Sequence, residues 1–196
     1  MSQSLRPDLR LIAGWIPERS NVLDLGCGDG ALMAWLQEAK LCSGYGVEIL
    51  PDQLLACAQR GVDVIQANIE QGLGMFVKGQ FDVVVLSMAI QSTKQTEKVL
   101  REMSSVGREG VVSFPNFGHW FHIWSIAKGR MPVSKEMPYT WYDTPNLHLA
   151  TLADFEDLLA KLGLTVLEKA FMDEGRVVHT LPGWRATQAF YRFRAG

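Results

Sequence analysis

Residues 21 to 36 read NVLDLGCGDGALMAWL: an apolar run carrying one acid, Asp24, breaks into three glycines, Gly26, Gly28 and Gly30, before a helical pattern resumes. A strand that turns so tightly into a helix constrains the fold more than any bulk property, because strand, turn and helix in this order open a parallel α/β sheet. Side chains in such a turn would block close approach by a ligand, and the backbone N–H groups there are expected to be uncovered. Ligands of these sheets sit at the carboxyl ends of the strands, near the switch in strand order. A small nucleotide-like ligand is therefore expected on the loop.

Short β-rich runs alternate with helical patterns through the first 115 residues, which argues for helices on both faces of the sheet. Strands are predicted near 21–25, 44–48, 62–66, 81–87 and 109–114. Between them Ala31–Ala39, Pro51–Arg60 and Thr93–Ser104 read as helices, and an earlier helix, about Pro7–Ile16, caps the sheet. The alternation breaks after Phe114. From residue 115 to about 150 the chain carries four prolines and a dense aromatic set, the length of loop that is usually functional. A helix then starts at Thr151, its N-cap, with Asp154 as a weaker form of the capping box and Gly163 as C-cap. Two β-rich runs, Thr165–Met172 and Thr187–Phe193, suggest an antiparallel end to the sheet.

The 196 residues fit one domain, 1–196, and a 47% hydrophobic content supplies a sizeable core. The 19 basic and 21 acidic residues nearly cancel without a Lys/Arg stripe, so neither nucleic acid nor an anionic membrane is an expected partner. No leader or anchor is legible in the first twenty residues, and the longest apolar run, around Val83–Ile90, is far too short to span a bilayer. A cytoplasmic location is the simplest expectation. Cys27, Cys42 and Cys57 form no CxxC and are expected as buried, reduced thiols.

Glu48 ends the second predicted strand, 18 residues beyond Gly30, where a carboxylate can accept both hydroxyl protons of a ribose. Two nucleotide classes fit this much, because Gly26, Gly28 and Ala31 also satisfy the relaxed dinucleotide fingerprint. The whole string VLDLGCGDG resembles motif I of class I S-adenosylmethionine (SAM) methyltransferases. In that resemblance Glu48 matches the ribose acid, and ANIE, residues 67–70, matches the segment bordering adenine, with Asn68 where Asp is common. An amide carbonyl can still accept from the adenine amino group.

Past residue 110 the strings SFPNFGHW, GRMPV, MPYTWYDTPNLHL and TLADFEDLL, read with VLDLGCGDG, resemble the methionine biosynthesis protein MetW family over nearly the whole chain. The resemblance implies a Rossmann-like class I methyltransferase fold, a mostly parallel seven-stranded sheet with an antiparallel C-terminal strand. It implies SAM or S-adenosylhomocysteine as cofactor, lined by Asp24, Gly26, Cys27, Gly28, Gly30, Glu48, Ile49, Asn68 and Ile69. Ser87 and Met88 join them by fold analogy. It also implies a homoserine O-acyltransferase as partner. Two roles follow: a SAM-binding accessory subunit whose occupancy reports methionine status, or a methyltransferase acting on an unidentified small molecule.

Methyl transfer is an in-line displacement in which positioning does most of the work. The fourth strand ends FDVVVLSMAIQ, without the Asn/Asp-Pro-Pro-aromatic motif of many amino methyltransferases, and Asn116 in PNFG is read as a loop beside the ligand mouth. Candidate acid/base groups are His119, His122, Tyr139, Tyr142, Asp143 and His148, all in the insert, but histidines in aromatic segments are more often packed than catalytic. No catalytic residue is assigned, and no metal site is expected. Trp120 and Trp124 share a face if their segment is helical; core packing is the default, and a docking surface with Arg130 and Trp141 is the alternative.

Overall fold

Local chemistry sets the first elements. The computed structural model describes residues 5–196. α1 (Pro7–Trp15) has proline in its first turn, where a missing N–H costs nothing, and the carbonyls of Ala13 and Ile16 at its far end accept from the Lys40 ammonium. β1 (Asn21–Leu25), α2 (Ala31–Lys40), β2 (Ser43–Glu48), α3 (Pro51–Gln59), β3 (Val64–Gln66), β4 (Phe81–Ser87), α4 (Thr96–Val106) and β5 (Gly107–Pro115) follow. Beyond them lie α5 (Trp120–Ala127), α6 (Leu152–Lys161), β6 (Leu164–Asp173), β7 (Arg176–Val177), α7 (Pro182–Arg185) and β8 (Gln188–Ala195).

The strands form one sheet in the order β3-β2-β1-β4-β5-β8-β6-β7. β1 to β5 pair in parallel, and β8 lies antiparallel between β5 and β6. The fold class is as expected, with eight strands rather than seven. The additional strand, β7, pairs with β6 only through Met172↔Val177 and Asp173↔Arg176, too short to leave a period in the sequence.

Side chains alternate across the sheet into two apolar layers. Val22, Val83, Val85 and Val111 pack against Ile12, Leu32 and Leu36 of α1 and α2, while Leu23, Val84, Leu86 and Phe114 pack against α4 and α6. On α4, Val99, Leu100, Met103 and Val106 form the buried stripe. That helix starts at Thr96, not Thr93, because Ile90–Ser92 form a 3-10 turn and the Thr93 hydroxyl donates back to the Ile90 carbonyl at 2.8 Å. α6 has its capping box: the Asp154 N–H donates to Thr151 Oγ1 at 3.3 Å and the Thr151 N–H to Asp154 Oδ2 at 3.2 Å. Its C-cap residue is Leu162, with Gly163 following at φ +70°.

The aromatic insert leaves and re-enters at one point, since Asn116 and Ala150 form an isolated parallel bridge. Asn116 is fully buried and does not border a ligand mouth. Its Nδ2 donates to the carbonyls of Gly183 (3.0 Å) and Ala186 (2.8 Å), and its Oδ1 accepts from the Gly118 N–H (3.0 Å), stitching β5 to α7. Asn116→Ala strands these buried groups, and thermal denaturation is expected to show a loss of about 2–4 kcal/mol. Among the described residues no helix is long and apolar enough to cross a membrane.

Candidate functional site

Gly26, Gly28 and Gly30 hold φ of +65°, +55° and +74°, the left-handed region that only glycine enters freely, so the chain reverses from β1 into α2 within one loop. A cleft of about 880 Å³ opens over this loop, inside the range of roughly 300–1,000 Å³ common for ligand sites. Asp24, Gly26, Cys27, Gly28, Glu48 and Ser87 line it. Gly30, Ile49, Asn68, Ile69 and Met88 are outside that lining. Asp29, Trp35, Gln53 and Arg60 are in it and were missed by pattern reading, although Asp29 stands within the glycine string itself.

The N–H groups of Gly26, Cys27, Gly28 and Gly30 are not uncovered, contrary to expectation. Gly26 and Cys27 donate to the Val47 carbonyl at 2.8 and 3.2 Å, Gly30 to the Cys27 carbonyl at 3.0 Å, and Gly28 to Glu48 Oε2 at 3.0 Å. The end of β2 thus satisfies what a diphosphate would require from such a turn. Glu48 Oε1 also accepts from Ile49 (2.7 Å) and Leu50 (3.0 Å). Three of about four carboxylate acceptor positions are used, leaving one for a ligand hydroxyl rather than two. Close approach of the loop to β2 is possible because position 46 is glycine: a Cβ there would lie 2.5 Å from Cys27 Sγ.

Carboxylates dominate the cleft. Asp24 is buried beside Glu48, and burial first, then that neighbouring charge, push its pKa up to about 7. Asp29 and Glu38 add to the lining, against Arg6 and Arg60, whose guanidinium groups already pair with Asp8 (3.0 Å) and Asp29 (2.7 Å). The surplus negative charge suits a cationic ligand. All three cysteines are free; Cys42 and Cys57 are buried, while Cys27 is half-buried at the cleft, with burial raising its thiol pKa.

The other candidates have local duties. Asn68 Oδ1 accepts from the Glu70 N–H at 2.9 Å, capping the 3-10 turn Ile69–Gln71, and Ile69 packs on the α4-side layer. Ser87 Oγ is 3.1 Å from Ser113 Oγ. Met88 sits at φ +51°, a strained position for its side chain, held by its N–H on the Ser113 carbonyl and hydroxyl (3.0 and 3.1 Å).

None of the six acid/base candidates lines the cleft. His119 and His122 are buried among Phe117, Trp120 and Phe121, and burial holds both below their ordinary pKa of about 6.5. The unfolded chain takes up these protons near pH 6.5 and the folded chain only at lower pH, so their contribution is full above about pH 6.5 and lost as pH falls below it. His122→Phe is expected to gain stability relative to the parent as pH falls below about 6.5, read by thermal denaturation.

The family model of the methionine biosynthesis protein MetW matches residues 6–193. The chain belongs to the MetW family. It is 37% identical over 180 residues to a bifunctional methionine biosynthesis protein MetXA/MetW of Rhodopirellula baltica, covering 87% of this chain and 29% of that relative. This chain therefore spans under a third of that protein's length. Among solved structures it resembles a SAM-dependent methyltransferase of Archaeoglobus fulgidus (TM-score 0.71, 15% identity, 94% of this chain and 90% of that one). It also resembles a magnesium protoporphyrin IX methyltransferase of Synechocystis with S-adenosylhomocysteine bound (TM-score 0.69, 14% identity, 96% and 82%). At these identities the likeness establishes the methyltransferase fold.

The insert on which the MetW resemblance rests is largely surface. Only His122 of α5 is buried, whereas Trp124 is 56% and Trp184, from α7, 63% exposed. With Trp120, Ile123 and Ala127 they line a shallow groove of about 300 Å³, so core packing does not account for these tryptophans. Trp141 and Arg130 are exposed as well.

Proposed function

We propose that this chain is a single-domain cytoplasmic protein that binds SAM or S-adenosylhomocysteine over the glycine loop and acts as accessory partner of a homoserine O-acyltransferase. The observation that carries the ligand class is the cleft's acidic lining over a loop whose N–H groups are tied inward. A sulfonium and an ammonium gain from Asp24 and Glu38, while a dinucleotide diphosphate finds the glycine N–H groups already engaged and no surplus positive charge among the described residues. Glu48 supplies its remaining acceptor position to a ribose hydroxyl, and Ser87 borders the same mouth. SAM, when bound, supplies an activated methyl group. The acid/base candidates of the insert lie outside this lining, and the role proposed is one in which occupancy reports methionine status.

Fusion of a MetW segment to MetXA in the Rhodopirellula protein supports the partnership. The exposed face of Trp120, Trp124 and Trp184 has the residue type that dominates interface hot spots and is the proposed contact. The test is homoserine O-acyltransferase turnover, using the enzyme of the same organism at fixed concentration with saturating SAM. Addition of this protein is expected to raise turnover, and Trp124→Asp with Trp184→Asp to abolish both the increase and co-purification while SAM affinity holds. An acyltransferase fully active alone and indifferent to the addition would overturn the accessory role and direct the search to methyl acceptors.

A further inference from the structure

A second cleft, of about 540 Å³, lies between α4 and α6, on the sheet face opposite the layer formed by α1 and α2. Its floor is apolar, built by Ile90, Phe114, Phe155 and Leu158. Its rim carries Gln91, Lys94 and Lys98.

Two features of this rim are unspent. Gln91 Nε2 donates to the Met88 carbonyl at 2.8 Å, which fixes the orientation of the amide, and Gln91 Oε1 is then buried without a donor among the described residues. A buried acceptor left so is costly, and a ligand N–H or O–H removes the cost. Neither Lys94 nor Lys98 enters an ion pair among the described residues. Lys98 Nζ rests on the Glu70 carbonyl at 3.2 Å, and the Glu70 carboxylate accepts the Lys94 backbone N–H. The two acids on the rim are engaged elsewhere, Glu97 with Lys161 and Asp154 in the capping box of α6.

An apolar floor, two ammonium groups and one buried acceptor define a small ligand with a carboxylate, an adjacent N–H donor and an aliphatic body. We propose that this cleft is a second small-molecule site, for an aliphatic α-amino acid. The carboxylate faces Lys94 and Lys98, the amino group donates to Gln91 Oε1, and the side chain lies on Phe114, Phe155 and Leu158. The site is independent of the reading given to the glycine-loop cleft. Occupancy reaches the insert directly, because the Gln91 carbonyl also accepts the N–H groups of Leu147 (2.8 Å) and His148 (3.0 Å).

Isothermal titration of the full chain with L-methionine as probe, in saturating SAM, tests the proposal. Saturable one-to-one binding is expected, weakened roughly tenfold or more by Gln91→Leu and by Leu158→Trp, the second filling the floor without touching a polar group. Hexanoate, which keeps the carboxylate and aliphatic body but lacks the amino donor, is expected to bind at least about tenfold more weakly. SAM titrations on the same variants are expected to match the parent, which separates failure here from failure at the glycine loop. Absence of saturable binding, parent-like binding by both variants when folded, or equal affinity for hexanoate would each overturn the assignment.

Discussion

Asp24→Asn is expected to make the ligand-free protein more stable at about pH 8 while weakening SAM binding roughly tenfold or more. Burial and the neighbouring Glu48 charge raise the Asp24 pKa to about 7 from an ordinary value near 3.8. Between those values the folded chain holds a proton that the unfolded chain has released, so stability declines as pH rises through this window and the loss is complete above about 7. Asparagine keeps the shape without the buried charge, a gain on the order of a few kcal/mol. Denaturation scans at about pH 8 and about pH 4 check this: the advantage of the variant is present at the first and small at the second. The affinity loss follows from removing a carboxylate that faces a cationic ligand. A variant no more stable than the parent at high pH would show that Asp24 is not the strained charge described.

Glu48→Gln is expected to cost at least about tenfold in SAM affinity, together with a fall in melting temperature. The carboxylate accepts N–H groups from Gly28, Ile49 and Leu50 with both oxygens, and an amide can offer only one oxygen. Its NH2 necessarily confronts another donor, so the glycine loop or the turn after β2 moves. Charge-assisted hydrogen bonds contribute about 1.5–3 kcal/mol each, so losing one from the loop and one to the ligand hydroxyl accounts for both readouts. SAM affinity equal to the parent would remove the cofactor from this cleft, and preferential binding of NAD would overturn the ligand class.

Much of this was legible because it is local. The β1 strand, the three glycines and the start of α2 lie in one run of sixteen residues, and Thr151 and Asp154 announce α6 by chemistry confined to a single turn. The inward-tied N–H groups were not legible. Their acceptors, the Val47 carbonyl and the Glu48 carboxylate, reach the loop only through the parallel pairing of β1 with β2. The start of α4 lies three residues beyond Thr93 because that residue spends its hydroxyl on the preceding 3-10 turn. For α5 the sequence WFHIWSIA is apolar on most sides, so its pattern does not say which face is buried; α7 reaches the exposed groove through contacts distant in sequence, among them the bonds from Asn116 to the Gly183 and Ala186 carbonyls.

The bridge between Asn116 and Ala150 has an evolutionary consequence. A segment whose two ends already touch presents the rest of the molecule with the boundary condition of a tight turn, whatever its length. The closure cost of such a loop grows only slowly with added residues, roughly 0.6 kcal/mol per doubling. Selection can therefore lengthen, trim or rewrite the segment without renegotiating the sheet beneath it, which makes it an exchangeable cassette. Chimaeras that swap residues 117–149 between relatives should fold alike and differ in whom they recognise.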